Sequence, residues 1–126
     1  MGVYAVGIDI VEIPRIQELI HRYGERFLRR VFTDPEIRYC AAKARSANSY
    51  SARFAAKEAV FKATGLGMDK GMKWRDIEIV NDVHGKPSIR LSGVASQLLA
   101  NKSIHLSLSH TDTLAIAMVV VENRQE

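Results

Sequence analysis

Phe54-Ala55-Ala56-Lys57-Glu58-Ala59-Val60-Phe61-Lys62-Ala63-Thr64-Gly65 is the most strongly helical stretch of the chain, and it carries one carboxylate among three cations counting Arg53. Helical geometry predicts a charged side made of Arg53, Lys57, Glu58 and Lys62. Ala52, Ala55, Ala56, Ala59 and Ala63 make the opposite side, small enough for close packing. Glu58 and Lys62 at i,i+4 also suit an ordinary surface ion pair. Phe54 and Phe61 beside the charges, and the glycines at 65, 67 and 71 directly after, favour a binding face instead. Gly65 is placed to cap the helix in the left-handed conformation.

Upstream, Val3 to Val11 reads as a strand with Tyr4, Val6, Ile8 and Ile10 on one face, so Asp9 points to the other. A carboxylate in so apolar a strand either meets a cation, such as a metal ion, or lies on a solvated face. Pro14 starts a helix in which Ile13, Ile16, Leu19, Ile20, Tyr23 and Phe27 recur at helical spacing. Its other side carries Arg15, Arg22, Arg26 and Arg29, and Gly24 either continues or breaks it. Thr33, Asp34, Pro35 and Glu36 form a capping box opening a second helix to about Lys43.

Downstream, Trp74 to Val80 and Lys86 to Leu91 read as a hairpin around a turn at Asn81 to Gly85. Residues 93 to 100 suggest a short helix. Ile104, Leu106 and Leu108 alternate with His105, Ser107 and Ser109, Leu114 to Val121 is a buried strand, and Glu122 to Glu126 is a polar tail expected to fray. The expected architecture is α+β: an antiparallel sheet packed against the long Ala-rich helix, in one domain spanning 1–126.

The chain's 126 residues, 47% of them hydrophobic and 25% charged, suffice for a single soluble core. No apolar run is long enough to span a bilayer, and the first residues lack the features of a secretory signal, so a cytoplasmic location and no membrane partner are expected. Cys40 has no second cysteine for a disulfide or a zinc pair and reads as a packing residue. A net charge of +4 points to an acidic partner, with Arg15, Arg22, Arg26, Arg29 and Arg30 concentrated in the first quarter.

Asp9 and Glu58 are the best pair for a hard cation such as Mg²⁺, which takes one or two carboxylates and completes its shell with water and phosphate oxygens. Arg53, Lys57 and Lys62 would suit those phosphates. His110 ends a strand beside a loop, where it either hydrogen-bonds a ligand or is satisfied structurally. A Ser-His hydrolase is disfavoured by the lack of a G-x-S-x-G elbow. Neither a Rossmann fingerprint nor a Walker sequence is present. The modest basic excess, without a ladder of stacking aromatics, makes a nucleic-acid-binding module an alternative rather than the expectation.

These segments resemble the small bacterial type of the 4′-phosphopantetheinyl transferase family, the holo-[acyl-carrier-protein] synthases. The first motif, G-x-D-x-x-x-x-x-R, stands as Gly7, Asp9 and Arg15. The second, F-x-x-K-E-x-x-x-K-A, stands as Phe54, Lys57, Glu58, Lys62 and Ala63. The Trp74 to Ile79 strand, the Gly85-Lys86-Pro87 turn and the Ser107, Ser109, His110 segment follow in the family's order.

The resemblance implies Mg²⁺-dependent transfer of 4′-phosphopantetheine from coenzyme A to a serine of an acidic apo-acyl carrier protein, releasing adenosine 3′,5′-bisphosphate and supporting fatty acid biosynthesis. It implies Asp9 and Glu58 as metal ligands and Lys62 as a phosphate contact, with Asp9, Glu58 and Lys62 the catalytic set. It implies donor contacts from Arg53, Lys57, Lys62, Gly65, Lys86, Pro87, Ser109, His110 and Thr111, and carrier docking on Arg15 and Arg22. Either Glu58 or a metal-held water would take the acceptor's proton. It further implies a homotrimer with sites between subunits, Asp9 and Glu58 of one chain facing Lys86 or Arg53 of another. A coenzyme A or nucleotide binder without catalysis is the other alternative.

Overall fold

The structure is a computed structural model that describes residues 2–124. In chain order its elements are β1 (Val3–Glu12), α1 (Ile13–Tyr23), α2 (Glu25–Val31), α3 (Asp34–Ala41), α4 (Ser46–Thr64), β2 (Ile77–Asn81), β3 (Pro87–Leu91), α5 (Gly93–Leu98), β4 (Lys102–His110) and β5 (Leu114–Asn123). The architecture is α+β, as expected, but the strands form two antiparallel sheets rather than one. A three-stranded sheet has the order β1-β5-β4, and β2 and β3 form a separate hairpin.

The local signals account for most boundaries. Gly24, at φ 53° and ψ −128°, breaks the first helical run and leaves Arg15 and Arg22 on α1 and the remaining arginines on α2. Thr33 Oγ1 accepts from the Glu36 N–H and Glu36 Oε1 accepts from the Thr33 N–H, completing the capping box of α3. That helix ends at Ala41, two residues short of the expected Lys43. Gly65, at φ 67°, ends α4. The strand read from Trp74 starts only at Ile77, because Trp74–Asp76 form a 3₁₀ turn whose Asp76 side chain accepts from the Lys73 N–H. The expected frayed tail is ordered in part: Glu122 and Asn123 close β5, while residues 125 and 126 lie outside the described residues.

α4 lies across the three-stranded sheet. Ala55, Ala56 and Ala59 are fully buried on it, and Ala115, Ala117, Val119 and Val121 of β5 are buried with them. The approach is closest at Gly7, where an added Cβ would stand 2.2 Å from the Ala59 carbonyl oxygen and 2.8 Å from the Ala63 Cβ. No side chain fits there, because both obstructions belong to the helix itself. Gly7→Ala is expected to push β1 off α4 at a cost of about 1–3 kcal/mol or more. A lower urea midpoint at fixed protein concentration would reveal it, and an unchanged midpoint would contradict this packing.

The other face of the sheet is turned to solvent in the single chain. Register places Val6, Val120 and His105 in one row, Ile8, Met118 and Ser107 in the next, and Ile10, Ile116 and Ser109 in a third. Val6, Ile8 and Ile10 are 58%, 56% and 59% exposed, far more than a row of β-branched side chains ordinarily is.

Candidate functional site

The two faces of β1 divide its chemistry. Asp9 lies between Ile8 and Ile10 but on the helix side, opposite Ala117, whose small side chain leaves room above it. Its carboxylate is only 12% exposed, and Oδ1 accepts from Lys62 Nζ at 2.8 Å. Glu58, one turn before Lys62 on α4, faces the same place. Burial, and then the neighbouring Asp9 carboxylate, push the Glu58 carboxyl above the ordinary glutamate range, partly offset by Lys62 and Arg15. Arg15 of α1 is thus a neighbour of the acid pair as well as a surface cation.

These two carboxylates fit a hard divalent cation. They supply oxygen donors only, and no third His, Cys, Asp or Glu joins them in a ligand cluster among the described residues. Such a set suits an ion like Mg²⁺ that keeps waters and takes substrate oxygens, and it does not suit zinc.

A second cluster gathers on the other flank of α4, in an open groove of about 500 Å³. Its walls bring together five expected donor contacts: Arg53, Lys86, Pro87, Ser109 and His110. Arg53 is 96% buried by its complement of 4% exposure, stacks its guanidinium 4.3 Å from the Tyr39 ring centroid and donates through Nη2 to Asn81 Oδ1. Asn81 Nδ2 in turn donates to the Gly85 carbonyl at 2.9 Å, and Asp82 Oδ1 accepts from the Lys86 N–H at 2.9 Å, so the β2–β3 turn is held against Arg53. Arg53 Nε has no hydrogen-bond partner among the described residues. A buried guanidinium donor left open beside a groove is a place for an anion or a carbonyl oxygen.

Four expected contacts fall elsewhere: Lys62, paired with Asp9 as described, and Lys57, Thr111 and Gly65. Lys57 is fully buried and spends its ammonium on Glu36 Oε1 at 2.7 Å, the Val31 carbonyl at 2.8 Å and the Trp74 carbonyl at 3.1 Å. Burial holds its pKa below the usual lysine range against the pull of Glu36. It has no free donor for a phosphate. Thr111 closes the β4–β5 turn, where Oγ1 accepts from the N–H groups of Thr113 and Leu114. Gly65 caps α4 and lies outside the groove walls.

The single charged side expected for α4 is therefore corrected. Arg53 and Lys57 lie roughly 140° around the helix from Glu58 and Lys62, since each residue turns the backbone by about 100°. The groove walls accordingly include none of Asp9, Glu58 and Lys62. Tyr39, Asn48 and Asn81 line the groove and were not singled out in the sequence; only Asn81, at a predicted turn, carried any local signal. Arg22 is exposed on α1 and pairs with Glu18 at 3.5 Å. Cys40 is buried, its thiol pushed up to about 11 by burial, which matches a packing role.

Comparison with known proteins bears on all of this. The profile of the 4′-phosphopantetheinyl transferase superfamily matches residues 5–119. A holo-[acyl-carrier-protein] synthase of Koribacter versatilis is 46% identical over 124 residues, 96% of this chain and 99% of that protein. The crystal structure of the holo-[acyl-carrier-protein] synthase from Neisseria meningitidis superposes with a TM-score of 0.88 at 33% identity, covering 96% of this chain and 99% of that one. The Helicobacter pylori holo-[acyl-carrier-protein] synthase, solved in complex with coenzyme A, superposes with a TM-score of 0.83 at 37% identity, covering 93% and 99%.

Proposed function

The chain belongs to the 4′-phosphopantetheinyl transferase superfamily, as an enzyme of the holo-[acyl-carrier-protein] synthase type, and from that premise we propose its full reaction. It transfers 4′-phosphopantetheine from coenzyme A to a serine hydroxyl of an acidic apo-acyl carrier protein, with Mg²⁺, and releases adenosine 3′,5′-bisphosphate. The setting is fatty acid biosynthesis in the cytoplasm. No helix of the described residues is long and apolar enough to cross a membrane.

The observation that carries this reading is the Asp9–Glu58 carboxylate pair with Lys62 beside it, packed where β1 meets α4. Mg²⁺ held by Asp9 and Glu58 would supply Lewis-acid stabilisation of the donor pyrophosphate. Lys62 contacts the phosphates and meets the charge that develops as the bond breaks. Arg53 and Lys86, with Pro87, Ser109 and His110 around them, bind and orient the donor's anionic end in the groove. In phosphoryl-type transfer such positioning and preorganised charge supply most of the rate.

One donor cannot lie in the groove and against the carboxylates of the same chain, because α4 separates them. The assembly that reconciles them is a homotrimer in which one chain's Asp9 and Glu58 face Arg53 or Lys86 of the next. The exposed row of Val6, Ile8 and Ile10 supports burial against other copies. Arg15 and Arg22 then form the rim that docks the acidic carrier. Changing both to Glu is expected to weaken carrier binding severalfold or more, most at low salt, while coenzyme A affinity measured by calorimetry stays the same. Unchanged carrier affinity would return Arg22 to an ordinary surface role.

Incubation of the chain with apo-carrier, coenzyme A and Mg²⁺, followed by intact-mass analysis, tests the reaction. A gain of one phosphopantetheine on the carrier is expected. Coenzyme A binding with no gain would leave a binder without catalysis. Salt-sensitive oligonucleotide binding that survives Asp9→Ala and Glu58→Ala would favour a nucleic-acid module.

A further inference from the structure

Lys62 does more in this structure than a phosphate contact requires. Its ammonium donates to Asp9 Oδ1 at 2.8 Å, so it already holds one of the two carboxylates that a divalent cation at this site would use. The two partners differ in freedom: the Asp9 carboxylate is 12% exposed and fixed on a strand, whereas the Lys62 side chain is 57% exposed on a flexible stem at the end of a helix. Two carboxylates placed close together repel, and a neighbouring cation relieves that repulsion.

Resting on the metal reading above, we infer that Lys62 is a displaceable resident counter-ion of the Asp9–Glu58 site: it neutralises Asp9 in the donor-free chain and surrenders that carboxylate when the divalent cation binds. The surrender frees the ammonium to meet donor phosphate. Metal and donor thereby help each other, since the metal releases the group that the donor needs and the donor gives that group somewhere to go. In the donor-free chain the ion pair competes with the metal, so divalent affinity is held down until the donor arrives.

Mn²⁺ binding to the donor-free protein, read from the electron paramagnetic resonance signal of the free ion, tests this without any turnover. Lys62→Met is expected to bind Mn²⁺ about fivefold more tightly than the parent chain, the upper end of what a solvent-screened ion pair contributes. Lys62→Arg, which keeps the cation, is expected to bind as the parent does. Lys70→Met removes one exposed charge away from the site and controls for the overall field. Asp9→Asn added to Lys62→Met is expected to abolish the gain. Measurable Mn²⁺ binding that Lys62→Met leaves unchanged or weakens overturns the exchange while the metal site stands. So does a gain equalled by Lys62→Arg or Lys70→Met. Absence of binding in every variant at millimolar Mn²⁺ overturns the carboxylate metal site and the exchange with it.

Discussion

Glu58→Gln is expected to abolish phosphopantetheine transfer while leaving the folded chain as stable as the parent or more so. The loss follows from removing one of two carboxylates from the proposed metal site: several kcal/mol of charge stabilisation, at 1.36 kcal/mol per tenfold, is about three orders of magnitude in rate. The stability follows from sign. The folded Glu58 pKa lies above its ordinary value of 4.5, chiefly through burial and then Asp9. The native state therefore favours the protonated form, and ionisation above the raised value weakens folding. That penalty fades as pH falls through the raised pKa and is gone below about 4.5. A neutral glutamine escapes it at pH 7. Thermal unfolding at pH 7 beside the carrier-mass assay would check both halves. Full activity in Glu58→Gln, or in Asp9→Ala, would sink the metal assignment.

Lys57→Met should do the reverse, unfolding much of the protein without touching chemistry. It leaves Glu36, 1% exposed, as an uncompensated buried carboxylate, a situation that typically costs about 3–5 kcal/mol. That is a large part of the roughly 5–15 kcal/mol holding a typical domain together. Glu36 binds three elements at once: Oε1 accepts from the Thr33 N–H and Lys57, and Oε2 accepts from the Ile79 N–H at 2.8 Å. Glu36→Leu combined with Lys57→Met is expected to recover part of the loss, because the pair leaves together, but not all, because the Thr33 and Ile79 N–H groups lose their acceptor. Urea titrations of the four proteins measure that coupling. The folded fraction of Lys57→Met is expected to bind coenzyme A with the parent's Kd; weakened binding would reinstate Lys57 as a donor contact.

The contrast between those two neighbours marks where sequence reading stops. Elements whose signals are local were legible: the Thr33 capping box, the Gly65 cap and the alternation in β1, whereas Gly24 left the helix free to continue or break until the structure broke it there. Which face of β1 meets α4 was harder, since alternation defines two faces and does not rank them. The apolar row looks like the buried one, yet the helix takes the side carrying Ala5, Gly7 and Asp9, because only small residues admit its backbone. Lys57 was misplaced because its partner Glu36 is 21 positions away, and that acid's visible job was a helix cap. The groove depends on Arg53 meeting Asn81, 28 positions away, a tertiary contact that no spacing rule encodes.

α4 consequently carries two kinds of information on one rod. Lys57 answers to the integrity of the core, whereas Glu58 and Lys62 answer to a ligand. Mutational tolerance around this helix is therefore directional. A lineage could rewrite positions 58 and 62 toward another chemistry without refolding, whereas position 57 is locked to a partner on α3. A relative keeping the buried lysine but lacking the acid after it would be recognisable as an intact scaffold that has given up transfer.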